Sequence, residues 1–235
     1  MNPPVWLRLA VPKPVRNWLR PVFYRLQTKI VYSRSYYEQE YHRGIYRLPE
    51  RVLSDIMAEW EQMGWKDMLF HVLDSIREPF QPATWLESAC HHGKTAFWLA
   101  ERFPHTRFYM FDFSATAVEF CQSHNPIPER SEIWLGDITD IRNEENRFEG
   151  FFEAATLLDV TEHLPQEIYK AAVREVYRVL RPGGWLLLKQ GHEILPEHIN
   201  VLSERRLVND FCSQGFELVQ SLPDRHYLMK KPYVA

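Results

Sequence analysis

The stretch Thr84-Trp85-Leu86-Glu87-Ser88-Ala89-Cys90-His91-His92-Gly93-Lys94-Thr95 decides the fold. Residues 84–87 form a short apolar run ending on an acid, a tight segment of small and polar residues closes on a glycine, and residues 95–102 then carry helical apolar spacing. Working outward, the rhythm repeats, with strands predicted over 107–111, 132–135, 151–158 and 185–189 and helices over 115–123 and 166–180. Alternating strands and helices imply βαβ units, hence an α/β domain with a mostly parallel sheet covered by helices on both faces. The tail predicts a helix over 204–212 and strands over 216–221 and 227–230, which lie too close in sequence to be parallel.

In an open parallel sheet the ligand crevice lies beyond the carboxyl ends of the strands. Three features stand there: the segment from Glu87 to Gly93, then Asp112, then Gly136-Asp137. Asp112 falls 19 residues after Gly93, the spacing at which a carboxylate accepts both hydroxyls of a ribose, and Asp137 is placed beside an adenine.

Over residues 84–231 these motifs resemble those of the class I S-adenosylmethionine-dependent methyltransferases, in particular small-molecule and quinone-biosynthesis members. The acidic-x-Gly-x-Gly-x-Gly motif aligns with Glu87, Ala89, His91 and Gly93, and the Asp-x-Ser pattern with Asp112-Phe113-Ser114. Leu158-Asp159-Val160-Thr161-Glu162-His163-Leu164 is similar to the family's segment after strand four, and Arg178-Val179-Leu180-Arg181-Pro182-Gly183-Gly184 to its turn before strand five. The resemblance implies a Rossmann-like seven-stranded sheet with a reversed last strand, and S-adenosylmethionine as cofactor. It assigns Glu87, Ala89, Cys90, His91, Gly93, Asp112, Phe113, Asp137, Ile138 and Asp159 to cofactor contacts. Two glycines of the first motif are replaced here, and a side chain at His91 must point away from the cofactor or fill part of its pocket.

A methyl group on a sulfonium is already activated, so transfer needs chiefly an in-line acceptor, plus a base where that acceptor is a hydroxyl. His192, in the loop where acceptor contacts are expected, is the first candidate, followed by His163 and Asp159. Glu162 and His163 also suit a structural role that braces the sheet. No metal is expected: the adjacent His91 and His92 should diverge and have no third ligand at helical spacing. The predicted activity is methyl transfer to oxygen or nitrogen of a small, lipid-linked or glycan acceptor. The alternative is a catalytically silent subunit that scaffolds a partner.

Three cysteines form no CxxC pair, so neither a zinc ribbon nor a disulfide scaffold is encoded. No apolar run approaches the length of a membrane span. The net charge of −3 divides unevenly, +7 before Glu38 and −10 from Glu38 onward. An acidic body argues against a nucleic-acid partner, because phosphate neutralisation dominates that affinity. Residues 1–34 read as a basic amphipathic arm whose stripe from Val15 to Ile30 suits a membrane surface or a protein partner through residues 5–31. Residues 35–82 read as a helical, tyrosine-bearing lid on the acceptor side, and 83–235 as the cofactor-binding domain. The expected location is cytoplasmic, peripheral on the inner face of a membrane.

Overall fold

Seven strands form a single sheet in the order β3-β2-β1-β4-β5-β7-β6 in the computed structural model, which describes residues 34–233 apart from 44–45, 77, 143–146, 194 and 196. The predictions for the basic arm fall outside the described residues. β1 (Thr84–Ser88) pairs in parallel with β2 (Arg107–Asp112) and β4 (Phe152–Leu158). β3 (Ser131–Leu135) and β5 (Leu180–Lys189) extend the parallel set on either side. β7 (His226–Lys230) runs antiparallel to both β5 and β6 (Glu217–Leu222). The expected sheet and its reversed strand are both present.

Central strands must be apolar on both faces because helices cover both. Leu86, Phe108, Met110, Ala154, Leu186 and Leu188 are fully buried accordingly. One face packs against α6 (Gln166–Val179) and α7 (Glu204–Gln214) through Tyr169, Val176, Leu207 and Phe211. The other packs against α4 (Lys94–Arg102) and α5 (Ala115–Ser123). β5 begins at Leu180 rather than at 185, because the chain pairs once, shifts register between Phe152 and Ala154, and rejoins. Gly183 allows this with φ +77.

The helical segment before the sheet comprises α1 (Arg34–His42), α2 (Leu53–Gln62) and α3 (Trp65–Asp74). Ile56, Leu69, Val72 and Leu73 share one core with Trp85, Phe97 and Leu187, so α2 and α3 are part of the sheet's own packing. α1 lies over the strand ends, with Tyr36, Tyr37 and Tyr41 toward the cavity there. Its Glu38 accepts hydrogen bonds from Ser114 Oγ (3.0 Å), Ala115 N (2.5 Å) and Thr116 N (3.1 Å) at the start of α5. A carboxylate there satisfies orphan amides and meets the positive end of the helix dipole. Burial works to raise the Glu38 pKa, but these hydrogen bonds outweigh it and the pKa is lowered. No helix among the described residues is long and apolar enough to cross a membrane.

Candidate active site

A cavity of about 310 Å³ opens beyond the carboxyl ends of β1 to β4, walled by α1 and by the loop after β5. The loop after β1 shapes its floor. Ala89, His91 and Gly93 all adopt the left-handed conformation, with φ of +55, +52 and +78. Glycine meets that demand without strain, whereas Ala89 and His91 each cost about 1 kcal/mol. At Gly93 the demand is greater, since a Cβ would lie 2.6 Å from the Phe97 ring and force it to move.

Asp112 ties this loop to β2. Its Oδ2 accepts from His91 N (2.9 Å) and its Oδ1 from Ser114 N (3.0 Å). Burial pushes its pKa up to about 6 against those donors. Ligand hydroxyls donating to the carboxylate would relieve that cost. Glu87 is also buried, hydrogen-bonded by the Thr156 hydroxyl, and desolvation raises it to about 7. Asp137 is exposed at the rim, with Oδ1 held by Thr139 N (2.8 Å) and Thr139 Oγ1 (2.7 Å). Cys90, Phe113 and Ile138 also line the cavity.

The His91 ring stacks on Tyr41 (centroids 4.5 Å apart, 25°) and meets the edge of Tyr46 at 4.5 Å. It belongs to the aromatic wall, and the cavity stays open beside it. The rings of His91 and His92 do not diverge; the left-handed turn at His91 leaves them 4.2 Å apart. Burial holds His91 near 3, hence neutral. Tyr36, Tyr37 and Tyr41 of α1 line the cavity, while Tyr41 is also buried in the core.

The residues present fit S-adenosylmethionine. Asp112 presents a buried carboxylate to the cavity that could accept ribose hydroxyls, and Phe113 and Ile138 offer apolar surface for a base.

Of the predicted catalytic residues, Asp159 and His163 line the cavity and His192 does not. His192 is about half exposed, its Nδ1 3.8 Å from Asp224, because the loop after β5 turns it outward. Asp159 pairs with the Lys189 ammonium at 2.5 Å. Glu162 is fully buried: its Oε1 accepts from Gly191 N (2.7 Å) and its Oε2 has no hydrogen-bond partner among the described residues. Burial, with Asp159 nearby, holds Glu162 well above the usual carboxylate range. Burial also lowers His163 to about 3.

Sequence reasoning missed Lys94, whose Nζ sits 4.1 Å from the Trp60 ring centroid, and whose pKa desolvation lowers to about 8. A signal existed, because a lysine at the first position of a helix opposes the dipole and needs another reason to be there. It also missed His198, Trp60 and Trp65, whose distance in sequence from any motif leaves no signal.

Residues 86–184 match a family model described as a methyltransferase domain. The mouse (Mus musculus) tRNA N(3)-cytidine methyltransferase METTL6 is 30% identical over 128 residues, covering 53% of this chain and 45% of its own. The zebrafish (Danio rerio) tRNA N(3)-cytidine methyltransferase METTL2 is 30% identical over 165 residues, covering 60% and 46%. The chain thus spans under half the length of these curated relatives. Among solved structures, the [4+2]-cyclase SpnF superposes with TM-score 0.62 at 14% identity, covering 74% of this chain and 83% of its own. The PH0226 protein of Pyrococcus horikoshii gives 0.61 at 16%, covering 82% and 98%.

The match over residues 86–184, together with the fold, supports a methyltransferase domain of the class I, S-adenosylmethionine-dependent type. It is an enzyme domain, and its methyl donor is S-adenosylmethionine. The expectation of no nucleic-acid partner is overturned, because the curated relatives are tRNA methyltransferases. A net acidic average does not exclude such a partner, because local basic groups can serve a nucleic-acid site whatever the net charge.

Proposed function

We propose that this protein transfers a methyl group from S-adenosylmethionine to an oxygen or nitrogen of a small, lipid-linked or glycan acceptor held beneath α1. The observation that carries the reading is the buried Asp112 carboxylate facing a cavity whose acceptor side is an aromatic and acidic wall. The bound cofactor supplies a methyl group activated by a sulfonium charge. Asp112 accepts the ribose hydroxyls, Asp137 lies on the base side, and the turn through Gly93 admits the backbone close to the ligand. Tyr36, Tyr37 and Tyr46 exclude water and orient a planar or hydroxylated acceptor. Where the acceptor is a hydroxyl, its proton passes to the bare atoms after β4, Glu162 Oε2 or His163 Nδ1.

The test is calorimetric titration with S-adenosylmethionine. Replacing Asp112 by Asn keeps the volume and removes the charge, and should weaken binding at least about tenfold through loss of charge-assisted hydrogen bonds. Unchanged affinity would refute the assignment.

A second acceptor reading is a cytidine in RNA, favoured by the two tRNA methyltransferase relatives. A labelled-methyl assay offering tRNA in one arm and a lipid-linked or glycan fraction in the other decides between them. The silent-subunit alternative predicts incorporation in neither arm with cofactor binding lost. Location at a membrane surface belongs to the same proposal and is supported by the basic amphipathic sequence of the arm.

A further inference from the structure

The turn after β4 and the loop after β5 bring three donor groups together that no sequence motif joins. Glu162, His163 and His198 each offer one ligand atom, and these atoms all lie within 4.8 Å of one another. Donors around one transition-metal ion at about 2.1 Å bond lengths stand about 3 to 4.2 Å apart, so small side-chain movements suffice.

The three side chains share a pattern: each is anchored through one atom and bare or open at the other. Glu162 Oε1 accepts from Gly191 N, while its buried Oε2 has no partner among the described residues. His163 hydrogen-bonds to the Glu197 backbone, while its buried Nδ1 likewise has none. His198 Nδ1 meets the Glu193 carbonyl at 2.9 Å, which sets the tautomer and leaves Nε2 with its lone pair. An imidazole fixed by a backbone carbonyl on its far nitrogen is how metal-binding histidines are oriented.

The two loops are also stitched together. Gln190 Nε2 donates to Thr161 Oγ1 (2.8 Å), Leu202 N donates to Gln190 Oε1 (2.9 Å), and Asn200 N donates to the Glu162 carbonyl (2.8 Å). The cluster lines the candidate active-site cavity, where Glu40, Glu193 and Glu197 add negative potential that favours a cation.

We propose that Glu162, His163 and His198 form a binding site for one divalent transition-metal ion, such as Mn²⁺, Fe²⁺, Co²⁺ or Zn²⁺, with its remaining coordination positions facing the cavity. Two imidazoles and one carboxylate select such ions over Mg²⁺ and Ca²⁺, which favour all-oxygen sets. Metal binding stands independently of the methyl-transfer reading. That the ion would hold an acceptor oxygen and ease loss of its proton rests on that reading; with the ion bound, Glu162 and His163 are its ligands and the proton leaves to water.

The experiment is a Co²⁺ titration of the chelator-stripped full chain, followed by visible absorption and by metal content after desalting. The expected result is one retained ion per chain, displaced by Zn²⁺ and not by Mg²⁺. His198→Ala and Glu162→Gln should each weaken binding by about tenfold or more, and His105→Ala, in the turn before β2, should not. Circular dichroism confirms folding; His198 is only half-buried, so its variant decides the matter if the Glu162 variant unfolds. Failure of the parent to retain ion, or equal retention by His198→Ala, overturns the site. Calorimetry with S-adenosylmethionine on the same metal-free samples separates loss of this site from failure of the methyltransferase reading.

Discussion

Glu87 shows how burial acts on a single carboxyl. Desolvation raises it to about 7, although Thr156 donates to it and the Lys94 charge opposes the shift. Below its unfolded value of 4.5 the group is neutral in both states; as pH rises through 7, folding must hold a costly buried charge. The stability that the neutral acid contributes is therefore present at low pH and lost upward, by up to about 3 kcal/mol. Glu87→Gln removes the titration, so the variant should gain on the parent by about 2–3 kcal/mol between pH 4.5 and 8. Urea unfolding of the cofactor-free proteins across that range measures it, and a pH-independent difference would contradict the argument. Position and identity of Glu87 and Asp112 were legible in the sequence, because each ends an apolar run. Their perturbed acidities were not, since these depend on what covers them.

At the scale of elements, α1 is held to the strand ends by the Glu38 carboxylate on the first turn of α5 together with the ring contacts of Tyr37 and Tyr41. Losing such a cap costs about 1–2 kcal/mol. Glu38→Ala should speed hydrogen exchange in residues 34–42 severalfold, with little change in α7, which packs on the opposite face of the sheet. Unaltered protection of α1 would mean that its aromatic contacts alone dock it. Periodicity predicted the helix, and the tyrosines on it suggested a lid. Nothing in the sequence pointed to its anchor, because Glu38 and Ser114 are separated by 76 residues and pair only once both helices are placed.

At the scale of the whole molecule, charge bears on location. The seven basic residues before Glu38 precede a sequence of opposite net charge. Removing residues 1–31 should reduce co-sedimentation with anionic vesicles severalfold, and added salt should weaken the parent's binding, since about 1 kcal/mol per surface lysine or arginine is screened. Equal sedimentation of both forms would remove membrane attachment from the proposal. SpnF shares the fold and is a cyclase, so the architecture alone does not name the reaction, and the site chemistry must do so.

The amino-acid sequence by itself determined the sheet, its reversed strand and the edge where ligands bind. Those depend on local quantities: the alternation of apolar runs, turns that require glycine, and acids placed at strand ends. The tertiary structure decided what converges on that edge. It turned His192 outward, drew His91 into an aromatic wall, and brought His198 to Glu162 and His163 across 35 residues of chain. Local pattern cannot encode such distances, because they are set by how whole elements pack against one another.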